Sequence, residues 1–444
     1  LKFSIKRTSE IVLSSLLFLV LMFSLFINPI YAFPTAVEPD IIAPRAVLMD
    51  LKTGTILFDK NANEPTFPAS TTKILTALLV LENASLNDIV HIDYEPGVTG
   101  SSMYIVPGES FSVETLLKAL LIRSANDAAE VLARHISGSV DSFVLLMNER
   151  AAALGAKNTH FTNPHGLPNE SHKTTAYDLA MIAREAMQYD LFREIVASRS
   201  LVIPPTGETD QRVYNNSNRF LWGTGPNHQM MYQGLSTDIY YEPVDGIKTG
   251  YTNSARNCLV SSANFGDQRF IAVVLNAEQE NIYSDSRTLL DYGFQHFHTI
   301  TLVESGSELT AIPVLNGTED SLTLYSDSTL SFVVPRSIMA DDIKPKLSLI
   351  DENITAPIES GTIFGSIDYF YEDNLIGQVS LVNQQQVDFV PVYQRISYRG
   401  YLFPAFLLFF LIWQSYVYRL RRKKKRIRRM QARTDRYQQY ESYE

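Results

Sequence analysis

The 444-residue chain is 45% hydrophobic and 19% charged, with a formal net charge of −10; it holds enough apolar material for a sizeable core and is too long for one ordinary domain. Charge is unevenly spread: Lys2, Lys6 and Arg7 at one end and the basic run from Arg419 to Arg436 at the other leave the stretch between them near −20, which excludes nucleic acid as its partner. Cys258 is the only cysteine, so an internal disulfide is excluded, and no His-Glu-x-x-His or comparable set calls for a metal or other cofactor.

Residues 1–32 join a basic start to an apolar run over 11–27 and then Pro29-Ile30-Tyr31-Ala32, the pattern of a secretory signal with Ala32 as the last residue removed. After a proline-bearing linker, alternation predicts strands over 46–50 and 55–59, joined as a hairpin by Leu51-Lys52-Thr53-Gly54. Pro68, a run of hydroxyl residues and apolar residues at helical spacing predict a helix entry with Ser70 in or beside its first turn. Lys73 lies three residues on, on the same face, so an amine stands one turn from a hydroxyl. Helices are predicted over 113–122, capped by Ser112, and over 125–136, 141–154 and 175–188, with a turn-rich loop at 162–169. Strands follow over 200–203, 246–249, 258–262 and 270–275, then a helix over 282–294.

Helices placed between early and late strands predict an α+β domain over 33–295 whose sheet draws on both ends of that segment. Short strands over 299–303, 322–325, 330–334, 347–350 and 377–381 predict a small all-β domain over 296–396. The apolar stretch 401–418 would reach about 27 Å as a helix, which predicts a transmembrane span in contact with lipid. The basic tail 419–444 then lies in the cytoplasm, and the chain is held at the cell membrane by a single C-terminal span with its catalytic domain on the extracellular or periplasmic face.

A Ser-x-x-Lys match arises by chance about once in a chain of this size, so its company decides. Ser124-Ala125-Asn126 falls at a helix break, and Lys248-Thr249-Gly250, followed by Tyr251, falls on a strand approached by a glycine turn. Both tripeptides also occur at hairpin turns, Lys52 to Gly54 and Ser262 to Asn264, where such residues are common for backbone reasons. The order Ser-x-x-Lys, Ser-x-Asn, Lys-Thr-Gly separates one set from the other.

On these motifs the sequence resembles the penicillin-recognising serine acyl enzymes, and within them the serine D-Ala-D-Ala carboxypeptidases, the low-molecular-mass penicillin-binding proteins. Asn158-Thr159-His160-Phe161, Pro164-His165-Gly166-Leu167, the stretch 175–180, Asn218-Arg219, Val334-Pro335-Arg336 and Ala356-Pro357 extend the resemblance over about 45–392. It implies a β-lactamase/transpeptidase-like domain followed by the all-β domain and the span. It implies removal of the terminal D-alanine from peptidoglycan stem pentapeptides ending in D-Ala-D-Ala, and covalent capture by β-lactam antibiotics. By the same resemblance Ser70 is the nucleophile, Lys73 its base and Ser124 a proton relay. Asn126 orients Lys73 and the substrate amide, Lys248 and Thr249 bind the terminal carboxylate, Gly250 admits the peptide, and the N–H groups of Ser70 and Tyr251 form an oxyanion hole. His165 and Arg219 are expected to hold the loop beside the site. Tyr251 stands where some relatives have histidine, and 223–243 is longer than the resemblance leads one to expect. A D,D-endopeptidase or β-lactamase on the same scaffold, and an idle wall-binding scaffold protein, are the alternatives.

Overall fold

The computed structural model describes residues 37–441 apart from 280, 352, 392–393 and 395–397, so the predicted signal segment lies outside the described residues. In chain order the elements are β1 (Arg45–Asp50), β2 (Ile56–Lys60), α1 (Lys73–Asn83), β3 (Ile89–His91), β4 (Ser110–Ser112), α2 (Val113–Lys118), α3 (Asn126–Ser137), α4 (Val140–Ala153), α5 (Ala176–Ala186), α6 (Asp190–Ala197), β5 (Ser200–Ile203), β6 (Arg212–Asn215), β7 (Gln229–Tyr232), β8 (Leu235–Asp238), β9 (Val244–Thr252), β10 (Arg256–Phe265), β11 (Gln268–Ala277), α7 (Asn281–His296), β12 (Phe297–Val303), β13 (Glu308–Pro313), β14 (Ser321–Ser326), β15 (Leu330–Pro335), β16 (Ile343–Leu349), β17 (Ile363–Tyr371), β18 (Asn374–Asn383) and α8 (Tyr398–Glu441). They form two units, one reaching to Leu302 and including Ser331–Ile343, the other made of Val303–Leu330 and the residues from Lys344 on.

The first unit is built on an antiparallel sheet of order β2-β1-β11-β10-β9, in which the early strand β1 pairs with the late strand β11 from Arg45↔Leu275 to Asp50↔Phe270. Successive side chains point to opposite faces, and both faces are covered. Val47, Met49, Val260, Ile271 and Val273 join a core with Leu75 and Leu78 of α1, Leu132 of α3 and Ile182 of α5. Leu48, Leu259, Phe270 and Val274 join a second core with Leu289 and Leu290 of α7. Double cover is why β1 and β11 read as continuous apolar runs rather than as alternations. Helix α1 is buried from Lys73 to Val80, a central helix apolar nearly all round. Strand β9, which carries Lys248 to Gly250, is an edge strand.

The structure departs from the sequence expectations where local geometry is unusual. The helix expected at Ser70 opens as a 3-10 turn over Ala69–Thr72, with α1 beginning only at Lys73. The helix expected over 113–122 is α2 followed by a π turn, Ala119–Arg123, that ends on Ser124 in the left-handed region at φ 65°. Helix α6 and the hairpin β7–β8 were not expected; they are short, eight residues for the helix and four for each strand.

In the second unit a sheet of order β13-β14-β18-β17-β16 closes over Leu322, Leu324, Phe364, Leu381 and Val387. Strand β17 was not expected, because Gly365, Ser366 and Asp368 interrupt its apolar pattern. Helix α8 is 44 residues long, so the expected span 401–418 is one part of a longer helix. Its stretch Gly400–Thr434 is long and apolar enough to cross a membrane by length and composition.

Candidate active site

The turn that carries Ser70 is held by its own hydroxyl neighbours. Thr71 Oγ1 donates to Pro68 O at 2.7 Å and Thr72 Oγ1 to Ala69 O at 2.9 Å, each bonding back three residues as a 3-10 turn requires. His172 locks the second of these. Its Nδ1 accepts from Thr162 N at 3.0 Å, so the ring proton sits on Nε2 and points to Thr72 Oγ1 at 2.9 Å. Burial, reinforced by the charges of His160 and Lys73, lowers His172 to about 4, which keeps the ring neutral.

Two glycines let flanking chain segments approach this turn. At Gly166, φ 87°, a Cβ would stand 1.8 Å from Ala69 O, so no other residue lets the 162–169 loop press against the Ser70 turn. At Gly250 a Cβ would stand 2.9 Å from Ser70 N and 3.2 Å from Pro68 O, so this residue brings the edge of β9 against the Ser70 backbone.

Lys73 is fully buried, and its ammonium donates to Ser70 Oγ at 3.1 Å, Asn126 Oδ1 at 2.7 Å and His165 O at 2.7 Å. Burial lowers its pKa well below the usual lysine value, the charge of Lys248 lowers it further, and Asp127 opposes both. Burial, with Lys73 and His172, also pushes the His165 ring down to about 3, so no imidazolium competes beside Lys73. His165 thus contributes its backbone carbonyl, while its ring accepts from Leu167 N at 3.2 Å and shapes the loop.

Asn126 opens α3 and is fixed from its other side, Nδ2 donating to Thr99 O at 2.6 Å and its backbone N to Ser101 O at 2.7 Å. Asp127 gathers the same segment, accepting from Ser102 Oγ at 2.6 Å and from the backbone N of Met103 and Ile105 at 3.1 Å. On β9, Lys248 is fully buried behind the strand and donates to Thr249 O at 3.0 Å. Burial alone lowers it to about 7. Cys258 is a small core residue, its thiol pushed up to about 12 by burial. Among the described residues no group of three His, Cys, Asp or Glu side chains could hold a metal ion.

These elements enclose a cleft of about 380 Å³ whose walls include Ser70, Ser124, Ser217, Arg219, Thr249 and Tyr251. Ser217 was missed in the sequence, yet Thr249 Oγ1 donates to its hydroxyl at 2.7 Å. The signal was the polar run Asn215-Asn216-Ser217-Asn218-Arg219 between Tyr214 and Phe220: Asn216 and Asn218 are buried, and Asn218 Nδ2 donates to Gly246 O at 3.2 Å, which ties this run to the start of β9. Arg219, expected only to hold its loop, lies on the cleft wall with its guanidinium 5.1 Å from the Tyr283 ring centroid. Among the described residues it has no carboxylate partner.

Residues 33–279 match the D-alanyl-D-alanine carboxypeptidase family, peptidase S11, and residues 297–388 match the C-terminal domain of penicillin-binding protein 5. The chain belongs to the D-alanyl-D-alanine carboxypeptidase family. D-alanyl-D-alanine carboxypeptidase DacF of Bacillus subtilis strain 168 is 33% identical over 332 residues, covering 73% of this chain and 80% of that protein. DacC of Escherichia coli K12 is 32% identical over 383 residues, covering 82% and 89%. The crystal structure of penicillin-binding protein 5 from Haemophilus influenzae superposes with a TM-score of 0.67 at 28% identity, covering 80% of this chain and 99% of that one. As a member of this carboxypeptidase family the chain is an enzyme, with the transpeptidase-like domain and small all-β domain expected from its sequence.

Proposed function

We propose that this carboxypeptidase removes the terminal D-alanine of peptidoglycan stem pentapeptides through an acyl-enzyme at Ser70, and that a β-lactam is captured by the same attack. The observation that carries the reading is the bonding of Lys73. An ammonium has three N–H groups, and three acceptors surround it. The neutral amine keeps two N–H groups for Asn126 Oδ1 and His165 O and turns its lone pair on the Ser70 hydroxyl. The lowered pKa of Lys73 makes that form accessible.

Ser70 Oγ bonds to the carbonyl carbon of the penultimate D-alanine, and its proton passes to Lys73 Nζ. The oxyanion is received by the N–H groups of Ser70 and Tyr251, a role supported by the approach of Gly250 to Ser70 N. The C–N bond then breaks, Ser124 gives a proton to the departing amine, and Lys73 restores it. Water attacks the ester by the same route and frees Ser70. The terminal carboxylate is received by the Thr249 hydroxyl with Lys248 behind it; Ser217, bonded to Thr249, and Arg219 line the same cleft. The apolar part of α8 supports a membrane anchor, with the catalytic unit on the outer face and the basic tail in the cytoplasm.

The test is labelled penicillin incubated with the full chain. Label is expected on Ser70 alone and absent from Ser70→Ala, alongside D-alanine release from a diacyl-D-Ala-D-Ala peptide by the unaltered chain. Label retained by Ser70→Ala would refute the assignment. Protease added to spheroplasts should remove the Ser70 domain and spare an epitope at the C-terminus; digestion of both would overturn the topology.

A further inference from the structure

The cleft does not end at Tyr251. Strand β9 runs on to Thr252 and turns into β10 at Arg256, where Thr252 Oγ1 accepts from Ala255 N at 3.0 Å and Arg256 adopts φ 53°. Beyond Tyr251 lies a second polar hollow of about 520 Å³, lined by Tyr251, Asn253, Arg256, Asn257, Glu278 and Gln279. Tyr251, Asn257 and Gln279 line both this hollow and the catalytic cleft, so the two are continuous. Arg256 and Glu278 form an ion pair there with side chains 55% and 65% exposed. So open a pair adds little to stability, and its partners are free to bond to something else.

The direction of the substrate follows from the reading above, on which this inference rests. With the terminal carboxylate at Thr249 and the scissile carbonyl beside Ser70, an extended peptide pairs antiparallel to the edge of β9. Its upstream residues then advance toward Asn253 at about 3.4 Å each. The side chain of the residue before the two D-alanines therefore arrives at the hollow.

We infer that this hollow is a subsite for a substrate side chain ending in both an ammonium and a carboxylate, the amino-acid-like end of a diaminodicarboxylic residue. Arg256 takes the carboxylate, Glu278 takes the ammonium, and the amides of Asn253, Asn257 and Gln279 supply neutral donors and acceptors around them. An ammonium alone would draw Glu278 away and leave the guanidinium without its counter-charge. A zwitterionic end replaces both halves of the pair.

The test uses the full chain in detergent and three peptides ending in D-Ala-D-Ala that differ only in the preceding residue: diaminopimelic acid, lysine or acetylated lysine. Wild-type kcat/KM is expected to fall in that order, by about tenfold or more from first to last, as befits charge-assisted contacts. Arg256→Gln should collapse the ratio of diaminopimelic to lysine peptide, and Glu278→Gln the ratio of lysine to acetyl-lysine peptide. Equal kcat/KM for the three peptides, or ratios that survive both substitutions, would overturn the subsite. Calorimetric binding of the same peptides to Ser70→Ala separates this inference from the reading it rests on. Ordered binding without D-alanine release in the wild type keeps the subsite and overturns the carboxypeptidase mechanism; release without discrimination does the reverse.

Discussion

Lys-Thr-Gly occurs twice in this chain, and what distinguishes the two copies lies outside the tripeptide. At 52–54 it turns the hairpin between β1 and β2. Lys52 is exposed and donates to Thr301 Oγ1 at 2.8 Å, Thr53 donates through both its N and its hydroxyl to Asp50 Oδ1, and Gly54 serves the turn at φ 76°. At 248–250 the same residues lie within an edge strand. There the lysine is buried, the threonine bonds to Ser217, and the glycine abuts Ser70. In the first copy the residues satisfy their own backbone; in the second, sheet and helix packing places them against Ser70, 178 positions before Lys248. Tertiary surroundings therefore assign the chemistry.

The largest contrast is expected at the glycines. Gly250→Ala sets a Cβ 2.9 Å from Ser70 N, a backbone atom that cannot swing aside, so kcat/KM for D-alanine release should fall by about 100-fold or more with the fold retained in a thermal melt. Gly54→Ala meets only the end of the Arg184 side chain at 3.1 Å, not backbone. Its cost should be the left-handed backbone, about 1–2 kcal/mol of stability, with activity kept. The reverse pattern would show that the copies had been assigned to the wrong roles.

At the lysines the contrast is next in size. Lys248→Gln removes a charge-assisted contact of about 1.5–3 kcal/mol, a fall of roughly 10- to 150-fold in kcat/KM, and the defect should shrink for a substrate amidated at its C-terminus. Because the Lys248 charge helps to lower Lys73, its loss should move the acid limb of the pH profile upward. Lys52→Gln should cost less than about 0.5 kcal/mol and leave both measurements unchanged.

A stability measurement sharpens the comparison. Lys248 in the folded protein titrates near 7, below the value of about 10.4 in an unfolded chain. Between those values the unfolded state binds the extra proton, so wild-type stability should rise with pH across that window. Lys248→Met removes this pH dependence. Its stability gain over wild type should be greatest below pH 7 and shrink as pH approaches 10, measured by denaturant unfolding across that range. A gain independent of pH would mean that the ammonium is not desolvated. The smallest effect is expected at the second Ser-Ala-Asn. Ser262, expected at a hairpin turn, lies within β10, its Oγ buried and without a hydrogen-bond partner among the described residues, so Ser262→Ala should leave D-alanine release unchanged and shift stability by no more than about 0.5 kcal/mol.

What the sequence determined by itself was whatever depends on near neighbours. Ser70 and Lys73 are three residues apart, so any helical turn holds them together; the Lys73 Nζ to Ser70 Oγ distance is 3.1 Å. The apolar runs of β1, β10, β11 and α1, and the break at Ser124, were legible because burial and turn formation act on successive residues. The tertiary structure alone decided the rest. His165 O reaches Lys73 across 92 positions, Asn126 Oδ1 reaches it across 53, and Thr249 finds Ser217 across 32. Ser217, the wall position of Arg219, the burial of Lys248 and the need for glycine at Gly166 all depend on such distant partners. No local periodicity records them, because a side chain's desolvation and hydrogen-bond partners are fixed by which surfaces the sheet brings together, not by the residues beside it in the chain.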